Sequence, residues 1–208
     1  MKVAVIACEI FKHELESILE NDSDVIYKEY LEYALHNEPE KLKNTVCEKV
    51  NSLQGKVDSV FLAYAVCQIL KGVTGELKVP TVMLDAEDCI GVLLTQMEYT
   101  EEKQKCPGTW FNSPGWAEMG IEGAIKDNHC DCMTESGFSA IELLSMIFDG
   151  YERCLYIDTG VGDRSKLTTL SLEFADVLKL RHECREGRLD MLRKGLEEAK
   201  MLAVDRPT

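Results

Sequence analysis

Apolar positions along this chain follow two rhythms. Residues 3–7 (Val3, Ala4, Val5, Ile6, Ala7) are a short unbroken apolar run, the pattern of a strand covered on both faces. Phe11, Leu15, Ile18 and Leu19 then recur at helical spacing, with Glu14, Glu16 and Glu20 off that face. Residues 25–30 read as a second strand. Asn37 and Pro39 open a helix that runs to Leu53, with Leu42, Val46, Val50 and Leu53 as its buried stripe. Residues 57–64 and 79–84 are two more apolar runs rich in β-branched and aromatic residues. Between them, 68–78 is expected to be a helix or helical turn, loosened by Gly72 and Gly75. A helix from Asp88 carries Ile90, Leu93, Leu94 and Met97. This alternation predicts an α/β fold with a parallel, Rossmann-like sheet flanked by helices.

In residues 106–116, Pro107-Gly108 and Pro114-Gly115 bracket Trp110 and Phe111, and Trp116 follows. Pro-Gly pairs are turn chemistry, so a surface loop pinned by its aromatics is expected, with a flap over the sheet edge as the functional alternative. Helices are predicted over 117–127, 139–148, 167–178 and 190–198. Strands are predicted over 154–157 and 201–204. The pattern restarts after the aromatic segment, which suggests two similar α/β lobes. The expected division is 1–105 for an N-terminal lobe and 106–208 for the aromatic loop and second lobe, packed as one globular unit.

The 208 residues carry a net charge of −14. Such a surface repels phosphate backbones and anionic lipid heads, which argues against nucleic acid or a membrane as partner. No apolar run approaches the ~20 residues of a spanning helix. The N-terminal apolar run is short and lacks a signal-peptide cleavage pattern. A cytoplasmic location is expected, and there nine cysteines are not a disulfide scaffold. Their number is odd, so they cannot all pair within the chain.

Three of the nine fall at or just past the ends of strand-like runs: Cys8, Cys67 and Cys89. In an open parallel sheet the carboxyl ends of the strands share one edge, where ligands bind. If these strands are parallel neighbours, the three thiols meet there. Three thiolates leave a zinc one open position, and they equally suit a [4Fe–4S] cluster with one free iron. The plain alternative is that each is a small buried hydrophobe. Cys47 and Cys184, on predicted helices, and Cys154, opening a strand, are read as packing. His129, Cys130 and Cys132 suggest an exposed polar turn, or a second metal site. Glu9 and Asp88, beside Cys8 and Cys89, are candidates to hydrogen-bond a substrate or local backbone amides, and His36 is a candidate for proton transfer. Asp158, Thr159 and Gly160, with Gly162 beyond, sit where a strand-to-helix turn can present backbone N–H groups to a small-molecule substrate. The turn lacks a dinucleotide fingerprint and a Walker lysine. Trp110 is a further candidate for substrate contact.

Six short motifs occur in order: Ala7-Cys8, Leu35-His36-Asn37-Glu38-Pro39-Glu40, Ala63-Tyr64-Ala65-Val66-Cys67, Ala86-Glu87-Asp88-Cys89-Ile90, Pro107-Gly108-Thr109-Trp110-Phe111 with Pro114-Gly115-Trp116, and Tyr156-Ile157-Asp158-Thr159-Gly160. Together they resemble the family called domain of unknown function 1638, over essentially the whole chain. That resemblance implies a setting among corrinoid-dependent methyl-transfer systems for methylated amines, and it places the family's cysteines at Cys8, Cys67 and Cys89. The family's central cysteine usually stands between glycines; here those positions are Ala65 and Gln68. The expected function is a three-cysteine metal-thiolate protein, zinc or [4Fe–4S], in corrinoid-linked methyl-group or one-carbon metabolism. It would act as a methyltransferase or an accessory, with a corrinoid protein or methyltransferase as partner. A metal-free module binding a small ligand or a corrinoid protein is the other expectation.

Overall fold

The computed structural model describes residues 1–65, 70–132 and 137–204. The chain divides into two units, Met1–Thr95 with Arg188–Thr208, and Gln96–Gly187. Each unit is built on its own parallel sheet flanked by helices, a Rossmann-like α/β architecture. Among the described residues no helix is long and apolar enough to cross a membrane.

In the first unit β1 (Val3–Cys8), β2 (Val25–Leu31), β3 (Ser59–Ala65) and β4 (Thr81–Leu84) form a sheet of order β2-β1-β3-β4, every pair parallel. The central strands β1 and β3 are buried on both faces, as their unbroken apolar runs require. Period-two alternation on β3 divides its side chains. Val60, Leu62 and Tyr64 join Ala4 and Ile6 in a cluster with Leu42, Val46 and Val50 of helix α2 (Pro39–Ser52). Ser59 and Phe61 meet the last helix of the chain, which packs on β3 and β4. Ser59 Oγ donates to the Ala199 carbonyl at 2.6 Å. A Cβ on Gly195 would stand 2.5 Å from the Phe61 ring, so glycine sets how closely this helix approaches. After β1 the chain makes a 3₁₀ turn, Glu9–Phe11, and then helix α1 (Lys12–Ile18). After β4 comes the short helix α3 (Cys89–Leu93), capped by Asp88, whose carboxylate accepts from Gly91 N at 2.8 Å.

The second unit runs α4 (Gln96–Lys105), β5 (Thr109–Asn112), α5 (Pro114–Asp127), α6 (Ala140–Ile147), β6 (Arg153–Asp158), α7 (Arg164–Val177) and β7 (Arg181–Glu186). Its sheet has the order β5-β6-β7, again all parallel. Two pairings define the register: Trp110 lies beside Cys154, and Tyr156 beside Cys184.

Several sequence expectations are corrected. The aromatic loop contains a strand, β5, because Thr109, Trp110 and Phe111 find a ladder partner in β6. Gly108 lets that pairing start, since a Cβ there would lie 2.5 Å from the Gly150 carbonyl oxygen. Cys184 is on a strand, not a helix. Arg-His-Glu-Cys-Arg-Glu carries no apolar rhythm, and its place in the sheet depends on partners elsewhere in the chain. The helix expected through Met97 breaks at Leu94, which is extended; Met97 lies in the first turn of α4 and is 69% exposed. Residues 201–204 are not a strand but the end of α8 (Asp190–Val204), where Leu192, Leu196, Ala199 and Ala203 keep one buried helical face. The helix or helical turn expected over 68–78 is, among the described residues, a 3₁₀ turn, Val73–Glu76, preceded by Gly72 at φ 79°. The expected boundary at 105/106 and the observed units differ. α4 belongs with the second sheet, and α8, though last in sequence, packs in the first unit.

Candidate functional site

The strand order of the first sheet picks out one edge. From β1 the chain moves to β2 on one side, then crosses back to β3 on the other. In open parallel sheets a crevice forms outside the carboxyl ends of strands where the order reverses in this way. Here the reversal falls between the carboxyl ends of β1 and β3. Cys8 is the last residue of β1, abreast of Leu31 on β2. β3 ends at Ala65, two residues before Cys67, which lies outside the described residues. Cys89 opens α3 after β4, the strand next to β3. Adjacent strands are ~4.8 Å apart, so the ends of β1 and β4 are separated by about 10 Å. Thiolates around one zinc, each at ~2.3 Å, stand about 3.8 Å from one another. β1 and β3 are neighbours in the sheet, and Cys89 follows the strand beyond β3.

Cys8 and Cys89 are both half-buried. Cys8 packs against the cluster that contains Leu31 and Tyr64. Glu9 Oε1 accepts from Tyr33 N at 2.8 Å and so ties the turn after β1 to the turn after β2. Its carboxylate and that of Asp88 therefore both serve backbone amides. His36, exposed, lies in the 3₁₀ turn Tyr33–Asn37 that follows β2.

A second strand-end feature lies in the other unit. Asp158 ends β6; its carboxylate accepts from Gly160 N at 2.9 Å and from both Nε (3.1 Å) and Nη2 of Arg164. The Arg164 guanidinium holds the Asp158 carboxyl below its ordinary pKa, against the opposing effect of burial. Asp158, Thr159, Gly160 and Arg164 line a cleft of about 450 Å³ with Cys184, Glu186 and Gly187 at the end of β7. Trp110 is placed elsewhere. Its ring stacks on Phe174 at 5.6 Å and meets Trp116 edge-on at 5.4 Å, so it serves the core of the unit.

The family model described as "Protein of unknown function (DUF1638)" matches residues 30–196. The chain belongs to the DUF1638 family. Cys67 and Cys89 fall inside the matched range, and Cys8 precedes it. Comparison with the curated proteins finds no match.

In this DUF1638 member five of the other described cysteines have raised thiol pKa values. Burial pushes the Cys154 thiol up to about 11, and its Sγ lies 3.8 Å from both Asn112 Nδ2 and Ser171 Oγ. Burial also raises Cys47, Cys130 and Cys184, while Cys132 is raised mainly by its hydrogen bond with Asp131. A raised pKa lowers the thiolate fraction that metal binding and nucleophilic attack require. Cys130 is buried in the second core and Cys132 is exposed. Among the described residues, no three His, Cys, Asp or Glu side chains gather to hold a metal. A complete donor set at the first edge therefore needs Cys67.

A buried ion-pair network in the second unit was not foreseen from the sequence. The Arg153 side chain is 0% exposed, and its Nη1 pairs with Glu102 Oε2 at 2.7 Å and Glu183 Oε2 at 3.0 Å. Arg185 pairs with Glu102 and, at 3.3 Å, with Glu98. Burial alone would raise Glu102, but hydrogen bonds from Arg153 and Arg185 outweigh it and hold the carboxylate ionised. These residues come from α4, β6 and β7, and no local spacing in the sequence links them.

Proposed function

We propose that this protein binds a metal through Cys8, Cys67 and Cys89 at the carboxyl edge of the first sheet. It acts in corrinoid-linked methyl-group or one-carbon metabolism, as a methyl-transfer enzyme or its accessory. The observation that carries the site is the order β2-β1-β3-β4, which sets a reversal point beside Cys8 and brings the chain leading to Cys67 alongside it. The metabolic setting rests on the family resemblance. Soft thiolate donors suit zinc or an iron–sulfur cluster. A zinc held by three thiolates keeps a fourth position for a substrate thiol and favours its deprotonated form. The chain's own contribution is Cys8 at the end of β1 and Cys89 at the start of α3, with Cys67 two residues beyond the last residue of β3 in sequence. The Glu9 and Asp88 carboxylates fix the turns that carry or follow two of them.

Anaerobic purification followed by metal analysis and an absorption spectrum tests this. About one zinc per chain and no visible colour is the expected result; a brown protein with thiolate-to-iron absorption assigns the cluster instead. Cys8→Ser, Cys67→Ser and Cys89→Ser should each lower metal content, while Cys47→Ser and Cys154→Ser should not. Protein that takes up neither zinc nor iron after anaerobic reconstitution overturns the metal site and leaves a ligand-binding module.

A further inference from the structure

We propose that the cleft at the carboxyl ends of β6 and β7 binds a small zwitterion of the α-amino acid class. This site lies wholly in the second unit and does not depend on the thiol edge. Its floor is tied by backbone contacts: Gly187 N donates to the Asp158 carbonyl at 2.8 Å. A Cβ on Gly187 would stand 2.7 Å from Ile157 Cγ2 and 2.9 Å from Thr159 Cγ2, so glycine lets the two strand ends meet. At about 450 Å³ the cleft suits a small molecule, and its lining is polar rather than aliphatic or aromatic. Recognition there must come from charge and hydrogen bonds.

The charges are of both signs. Asp158 and Glu186 supply carboxylates and Arg164 a guanidinium that is 64% exposed, while Arg185, which also lines the cleft, has its guanidinium paired with Glu98 and Glu102. Glu186 lies near enough to act on the Arg164 charge alongside Asp158. Arg164 spends Nε and Nη2 on Asp158, which leaves its Nη1 hydrogens for another acceptor. A simple anion there faces two carboxylates, and a simple cation faces the guanidinium. A zwitterion laid antiparallel to the Asp158–Arg164 pair meets neither penalty. Its carboxylate takes Arg164, its ammonium takes Glu186 and Asp158, and no net charge is added.

The full chain is melted, followed by tryptophan fluorescence, with each of the twenty α-amino acids at millimolar concentration. Acetate and ethylamine serve as half-molecule controls. At least one amino acid should raise Tm in a saturable way, and neither control should. Arg164→Ala and Glu186→Gln, both at exposed positions, should weaken that affinity by roughly 10- to 100-fold, the loss of a charge-assisted hydrogen bond. No shift with any of the twenty, an equal shift with acetate or ethylamine, or full affinity in both variants would overturn the proposal. None of these outcomes bears on the metal reading, which involves other residues and another readout.

Discussion

The two sheets are both parallel and both flanked by helices, yet they are held together differently. The first has apolar central strands and an order that reverses between β1 and β3. The second runs β5-β6-β7 without reversal, and its strand β7 is almost wholly polar. Hydrophobic burial and a glycine-spaced helix hold the first. The second combines an aromatic core on one face with a charge network on the other. Period-two alternation separates these faces: Cys154 and His182 look toward α7, Arg153 and Glu183 toward α4. A reversal in strand order creates a crevice from topology alone. A sheet without one must line its strand ends with suitable side chains, and the second unit does so with Asp158, Arg164 and Glu186.

Both tryptophans, Trp110 and Trp116, belong to the second unit, so their fluorescence reports on that sheet alone. The largest expected effect is that of Arg153→Leu. It leaves Glu102 and Glu183 without their buried partner and should cost about 3–5 kcal/mol, read as an earlier tryptophan transition in urea. An unchanged midpoint would mean that the network does not hold the second sheet. Gly195→Ala is the matching test of the first. Its new methyl meets the fully buried Phe61 ring and should cost ~1–3 kcal/mol by circular dichroism while the tryptophan transition stays in place. Movement of both transitions together would erase the distinction between the units.

Ser139→Ala is a smaller test within the second unit. Ser139 caps α6, its Oγ accepting from Glu142 N while the Glu142 side chain accepts from Ser139 N. Loss of this capping box should cost about 1 kcal/mol, and a midpoint shifted by much more would show α6 to be a keystone of the unit. The smallest expected effect is one of pH. Burial holds the His182 pKa below its ordinary 6.5, and its Nε2 lies 3.1 Å from Ser171 Oγ. The folded value is the lower one, so the unfolded chain takes up the proton first. The stability tied to this group is complete above about 6.5 and declines as pH falls toward the folded value. The urea midpoint of the second unit should therefore drop on mild acidification, and His182→Gln should flatten that slope. An equal slope in the variant would assign it to the carboxylates.

The sequence by itself determined the α/β class, the buried strands β1, β3 and β6, and helices α2 and α7. In each the apolar positions form a local rhythm that burial then satisfies. It also marked Cys8 as a strand-end residue and Cys89 as a residue following a strand, because strand and cysteine lie close together in the chain. Tertiary structure alone decided β7, whose polar residues join a sheet only because β6 offers a ladder and Arg153 offers a charge. It decided that Trp110 serves the core, since Phe174 lies sixty-four residues further along. It also sent α8 back to the first sheet, through a glycine whose purpose is visible only beside the Phe61 ring. Those contacts join residues far apart in sequence, and neither periodicity nor propensity extends that far.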